Sequence, residues 1–123
     1  VNDSCHFAAI SSIKIGNRCL IASKVFISDH DHGDYSSKNL NKIQIKTPPT
    51  LRNLSSKPII IGDDCWIGEG VNILKGTNIG SGCIIGAGSV VKGEFPQNCI
   101  LAGVPAKIIK VYDSAAGLWI KKK

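Results

Sequence analysis

Isoleucine or valine returns at every sixth position from Ile61 onward: Ile61, Ile67, Ile73, Ile79, Ile85 and Val91. The same frame, carried back across a gap, gives Ile15, Ile21 and Ile27. A beat of six fits neither the 3.6 period of a helix nor the alternation of a two-sided strand. It predicts a parallel β-helix in which each repeat is one short strand and three repeats make a turn. The residue after the aliphatic is small (Gly16, Ala22, Gly62, Gly68, Gly80, Gly86), and four places after it stands a second compact side chain (Cys19, Val25, Cys65, Val71, Thr77, Cys83, Ser89). Both slots are read as interior, with glycine suiting a corner of unusual dihedrals or close backbone approach. The positions between carry Asn17, Arg18, Asp63, Asp64, Asn72 and Ser81, which suit a solvated exterior. Successive turns then stack about 4.8 Å apart. The core is a pile of isoleucines that no single repeat could bury alone. A sandwich of short strands would instead show irregular turn signals about 8–12 residues apart.

Along the chain, residues 1–32 predict roughly one and a half turns, with Asp3 and Ala9 sharing the frame of Ile15. The frame breaks over residues 33–57, where Thr47-Pro48-Pro49-Thr50 and Ser55-Ser56-Lys57-Pro58 replace the aliphatic beat. This is an excursion loop of about 25 residues, a length usually tied to function or disorder. The repeat resumes at Ile61 and runs to Pro96, and Ile100-Leu101-Ala102-Gly103-Val104-Pro105-Ala106-Lys107 closes the stack. Residues 108–123 are expected as a strand or short helix capping the open end, with Trp119 as its apolar anchor. A length of 123 residues gives one domain, 1–123. The chain has no Met and starts at Val1 inside what already reads as a repeat, so an N-terminal portion is expected to be missing.

Composition sharpens this outline. Hydrophobics at 43% with aromatics at 6% fit aliphatic stacks rather than ring clusters. No stretch approaches the roughly 20 apolar residues of a membrane span. Of the five cysteines (Cys5, Cys19, Cys65, Cys83, Cys99) none forms a CxxC pair, and the corner slot suits them as small buried hydrophobes. That usage points to a reducing cytoplasm. The net charge of +6 is spread out, without an RNP, zinc or helix-turn-helix pattern, so nucleic acid is not the expected partner. The run Lys121 to Lys123 reads as a solvated tail, and the remaining excess as suited to a polyanionic cofactor or an anionic membrane surface.

The stretches Ile61-Gly-Asp-Asp-Cys-Trp66-Ile-Gly, Ile85-Gly-Ala-Gly-Ser-Val-Val and Ala102-Gly-Val-Pro-Ala-Lys107 resemble the hexapeptide-repeat acyltransferases. More narrowly, Ile21-Ala-Ser-Lys-Val-Phe-Ile-Ser-Asp-His30-Asp-His32-Gly is similar to the sugar O-acetyltransferases of O-antigen and exopolysaccharide clusters. The resemblance covers nearly the whole chain apart from the loop after Tyr35. It implies an all-β, single-stranded left-handed parallel β-helix. The implied activity is acetyl-CoA-dependent O-acetyl transfer to a sugar hydroxyl in O-antigen (lipopolysaccharide) or exopolysaccharide biosynthesis. It also implies a homotrimer with active sites between subunits, a sugar or lipid-linked saccharide acceptor, peripheral contact with the inner membrane surface, and no metal.

Such a transfer needs a base for the hydroxyl proton, a donor for the developing oxyanion, and both substrates held in line. Histidine is the natural base near neutral pH. The candidates are His6, His30 and His32. The resemblance places the catalytic histidine on His32; a one-residue bulge would exchange it with His30, and His6 reads as a wall residue. The same match puts an acceptor-side asparagine on Asn2, while an acidic acceptor-binding position falls on Ile10, a departure that leaves the acceptor's identity open. Asp29 and Asp31 flank the histidines and either orient an imidazole or are solvated, with Asp31 also placed on the acceptor side. For the acetyl-CoA groove the resemblance names Trp66, Gly68, Glu69, Ala87 and Lys92, with the backbone N–H near Glu69 as oxyanion donor and Lys107 and Lys110 at the nucleotide phosphates. Trp66 reads equally as a structural aromatic on the outside of the coil.

The rival readings are a transferase for serine, an antibiotic or another small acceptor, and a truncated non-catalytic coil. A zinc-dependent γ-type carbonic anhydrase needs three suitably spaced histidines. His30 and His32 have one residue between them and His6 lies too near, so that spacing fails.

Overall fold

In a computed structural model, which describes residues 1–35 and 45–122, the six-residue beat becomes a left-handed parallel β-helix. Residues 36–44 of the expected excursion, and Lys123, lie outside the described residues. The prism has three faces. His6–Ala8, Phe26–Ser28, Asn72–Ile73 and Val90–Val91 pair on the first. Ile13–Ile15, Ile59–Ile61, Asn78–Ile79 and Glu94–Phe95 pair on the second. Leu20–Ile21, Trp66–Ile67, Ile84–Ile85 and Cys99–Gly103 pair on the third. All these pairings are parallel, so each face holds one strand from each of four stacked coils.

The register explains the period. Ile27 sits beside Ile73 and Ile73 beside Val91 on the first face. Ile15, Ile61, Ile79 and Phe95 line up on the second, and Ile21, Ile67, Ile85 and Leu101 on the third. Each aliphatic packs on its equivalent one coil away, and the middle members of every column are fully buried. The second slot is interior as expected, with Val25, Cys65, Val71, Thr77, Cys83 and Ser89 buried. Cys19, Cys65, Cys83 and Cys99 share the column that enters the third face, and all five thiols are free. Burial pushes the Cys65 thiol up to about 11, which keeps it protonated and inert.

The corners divide their labour differently from the simplest reading of the pattern. The left-handed backbone falls three places after the aliphatic, at Arg18, Lys24, Asp64, Gly70, Gly76, Gly82 and Gly88. The glycine directly after the aliphatic is there for close approach: a Cβ on Gly80 would lie 2.5 Å from the backbone N of Gln97 in the next coil. Gly80→Ala is therefore expected to lower unfolding free energy in urea by about 1–3 kcal/mol through overpacking. Gly88→Ala, at φ 73 with open space around it, loses about 1–2 kcal/mol through backbone strain alone.

Nearly all variation in repeat length falls on one corner, between the first and second faces. Phe7 leads to Ile15 in the first coil, Ile27 to Ile61 in the second, Ile73 to Ile79 in the third and Val91 to Phe95 in the fourth. The first coil thus overturns the backward extension of the frame. Phe7, not Ala9, stands in register with Ile27, because this corner is two residues longer there. The excursion leaves from the same corner one coil later and returns to it.

At the other end Ala106–Asp113 and Leu118–Lys121 form an antiparallel hairpin that extends the third sheet. Ile108 and Val111 pack against the core. Trp119, expected as the anchor of this cap, instead lies exposed on the outer strand, edge-on to Tyr112 at 5.4 Å, because Leu118–Lys121 is the edge strand one removed from the core. Among the described residues no helix is long and apolar enough to cross a membrane.

Candidate active site

The excursion does not begin as a loop. Asp29 follows the first-face strand Phe26–Ser28 of the second coil, and the next three residues, His30–His32, form a strand antiparallel to Leu54–Ser56. The pairs are His30 with Ser56, Asp31 with Ser55 and His32 with Leu54. Both candidate histidines thus stand on a two-stranded ribbon projecting from the variable corner.

Their surroundings differ. His30 is mostly covered, and its ring Nδ1 lies 2.9 Å from Oδ1 of the fully buried Asp29. An ionised carboxylate only accepts, so Nδ1 carries the proton in this pair. The Asp29 carboxylate also accepts from the backbone N–H of Ile10 (2.9 Å) and of Ser11 (2.7 Å). Burial opposes its ionisation, but these donors and His30 outweigh burial and hold the carboxyl below its ordinary value. His32 is exposed. Its backbone carbonyl accepts the Tyr35 hydroxyl at 2.5 Å, and Arg52 donates to that hydroxyl at 2.7 Å. Asp31 does not meet an imidazole; it pairs with Lys75 at 3.2 Å. His6 stacks on Phe26, with ring centroids 5.4 Å apart.

The other expected residues lie elsewhere on the prism. Trp66 points outward from the third face, 51% exposed, in register with Leu20 and Ile84. Gly68, Glu69 and Ala87 form the corner between the third and first faces, where a Cβ on Gly68 would meet the Ala87 backbone N at 2.7 Å. The Glu69 carbonyl accepts the Gly88 N–H at 2.8 Å. Asn2 reaches this corner too, its backbone N–H bonded to the Ile21 carbonyl. Lys107 and Lys110 are exposed on the C-terminal hairpin that continues the third sheet, opposite Ala102 and Ile100. Lys92 departs from the groove grouping: it follows Val91 at the same variable corner as the histidines, two coils on. A single chain therefore gathers His30, Asp31, His32 and Lys92 on one edge and Asn2, Trp66, Gly68, Glu69 and Ala87 on another. Sequence reasoning did not single out Lys75 or Tyr35. Lys75 could have been found from its slot, since it stands two residues past Ile73 as Asp29 stands two past Ile27. Among the described residues no group of three or more His, Cys, Asp or Glu is placed to hold a metal.

Residues 58–93 match the bacterial transferase hexapeptide (six repeats) family, and the chain carries that repeat through its second to fourth coils. WbbJ of Escherichia coli K12, named a putative lipopolysaccharide biosynthesis O-acetyl transferase, is 50% identical over 122 residues, covering 98% of this chain and 61% of WbbJ. A galactoside acetyltransferase solved in complex with coenzyme A superposes with a TM-score of 0.73 at 26% identity, covering 99% of this chain and 66% of that one. The polySia-specific acetyltransferase NeuO superposes with a TM-score of 0.69 at 34% identity, over 90% of this chain and 44% of NeuO. The chain thus spans about three fifths of the length of WbbJ.

Proposed function

We propose that this chain is the β-helical part of an O-acetyltransferase that moves acetyl from acetyl-CoA to a sugar hydroxyl. The acceptor is a lipid-linked or nucleotide-linked saccharide of O-antigen or lipopolysaccharide biosynthesis, met in the cytoplasm at the inner membrane surface. The observation that carries the reading is the ribbon: it carries an exposed imidazole, His32, two residues along from a second, His30, locked by a buried carboxylate. His32 takes the hydroxyl proton, the oxygen attacks the thioester carbon directly, and coenzyme A leaves as the thiol. Trp66, Gly68, Glu69 and Ala87 line the pantetheine groove, Lys107 and Lys110 meet the phosphates as point charges, and Asn2 lies toward the acceptor.

Because the histidine edge and the groove edge are different edges of one prism, a complete site needs the histidine edge of one copy against the groove edge of the next. Such a head-to-tail contact closes into a ring, and a three-sided prism suits a homotrimer. The test is thiol release from acetyl-CoA against a panel of nucleotide-linked and lipid-linked sugars, with light scattering on the same samples. Sugar-dependent release by a trimer is expected. Turnover only with serine or an antibiotic would move the acceptor class, and no binding of acetyl-CoA at millimolar concentration would leave a non-catalytic coil. A fully active monomer would overturn the shared site.

A second reading has its own observation. The Asp29–His30 pair is the arrangement of a base oriented by a carboxylate, and it makes His30 the alternative base. Substituting each histidine separately decides between them.

A further inference from the structure

We propose that Asp29 and Lys75 form a two-sided clasp that fixes the histidine ribbon on the coil, which makes both of them positioning residues for the reaction. This inference rests on the acetyl-transfer reading for its catalytic meaning, though not for its structural one.

The two residues occupy the same slot in successive coils, two places past the column residues Ile27 and Ile73. That slot sits at the corner where coil length is free to vary, so nothing in the repeat itself determines where a long insertion would point. The clasp supplies the missing constraint from both sides. Asp29 reaches toward the first coil. Its carboxylate takes the N–H groups of Ile10 and Ser11, and its own N–H bonds the Ala8 carbonyl at 3.2 Å. The Ser11 and Ser56 hydroxyls, 2.6 Å apart, tie the return strand of the ribbon to the same turn. Lys75 works from the third coil. Its ammonium lies 3.2 Å from Asp31 and donates to the Ser55 hydroxyl at 2.9 Å. Asp31 and Ser55 are register partners across the ribbon, so one cation holds both strands. The Gly76 N–H bonds the Lys57 carbonyl at 3.2 Å, and the Lys57 N–H bonds the Asp29 carbonyl at 2.9 Å, which closes the stitch between the two slots.

The burial of these groups is what separates them from surface decoration. Asp29 is fully buried and the Lys75 side chain is only 13% exposed; Asp31 is half-exposed, so the covered partners of the clasp are Asp29 and the Lys75 ammonium with its bond to Ser55. Ordinary exposed ion pairs count for little. A covered charge with its hydrogen bonds satisfied instead specifies one arrangement, and removing a partner leaves polar groups stranded. The arrangement specified here is the position of His30 through its Nδ1, and of His32 two residues along the same short strand. Placement of a base within about an ångström of the reacting hydroxyl is worth on the order of 10²-fold in rate.

The test uses Asp29→Asn, Lys75→Met and the conservative Lys75→Arg in the longest chain that shows turnover. Amide hydrogen exchange of residues 30–32 and 54–56 is expected to quicken on the order of 10-fold or more in the Asn and Met variants, while the third-face strands at residues 66–67 and 84–85 exchange as before. The value of kcat should fall on the order of 10–10²-fold with the KM for acetyl-CoA unchanged, because neither substitution removes a residue proposed to line the groove, and Lys75→Arg should recover most of the rate. Unchanged ribbon exchange in Lys75→Met would overturn the clasp. So would quickened exchange with kcat intact, since the residues would then be structural only. Should Asp29→Asn fail to fold, the two Lys75 variants decide alone. Should the wild-type chain transfer no acetyl group, the exchange experiment still decides whether the clasp exists, and only its catalytic meaning falls with the proposed function.

Discussion

Replacing His32 by alanine is expected to lower kcat on the order of 10²–10⁴-fold while acetyl-CoA binding and unfolding stability stay close to wild type. Three observations carry this. The His32 side chain is exposed, so its loss removes no core packing. Its backbone is held independently, by the Tyr35 hydroxyl on its carbonyl and by the ladder to Leu54. The residues proposed for the groove, Trp66, Gly68, Glu69 and Ala87, stand on other elements of the coil, so the substitution removes none of the contacts proposed for the cofactor. Steady-state kinetics on His32→Ala and His30→Ala, with calorimetric titration of acetyl-CoA, make the measurement. A silent His32→Ala beside a crippled His30→Ala would assign the base to the Asp29-bound imidazole. Direct transfer is part of the same expectation: Cys65 and Cys83 are buried thiols with raised pKa values, poor nucleophiles at neutral pH. Isolation of an acetylated cysteine during turnover would reject it.

How much of this was legible beforehand follows from what repeats. The aliphatic columns were legible because stacking forces the same interior residue at the same slot in every coil, and Ile61 to Val91 obey it without exception. The first coil was read two residues out of register, with Ala9 in place of Phe7, because its corner is longer and only one coil shows that length. The positive-φ corner was hidden by Arg18, Lys24 and Asp64, which adopt at that slot the conformation that glycine marks in other coils. The ribbon escaped notice because His30–His32 and Leu54–Ser56 are three residues each, too short to show alternation, and the partners are far apart in sequence. Asp29 and Asp31 look alike in the chain. Only the fold shows that the first turns inward onto the Ile10 and Ser11 amides while the second meets Lys75. The division of the expected site over two edges was equally invisible, since sequence order says nothing of which corner a residue occupies.

The columns themselves make the second large prediction. Ile73→Ala is expected to cost about 2–5 kcal/mol in urea unfolding, towards the upper end of that range. The cost of such a truncation depends on how far neighbours can collapse into the space. Here Ile73 sits between Ile27 and Val91, all three fully buried. Their separation is set by backbone hydrogen bonds such as Phe26 N to Val71 O and Asn72 N to Ser89 O, each 2.9 Å. A coil cannot close the gap without breaking the ladder on all three faces, so the cavity stays open and its lining loses dispersion contacts outright. Ile73→Val removes one methylene and should cost about 0.5–1.5 kcal/mol. Ile13→Ala, in the first coil and only partly buried, should cost less than Ile73→Ala, because part of its surface already meets water. If Ile73→Ala and Ile13→Ala proved equally mild, the stacked column would not be the main source of stability, and the period of six would need another physical cause.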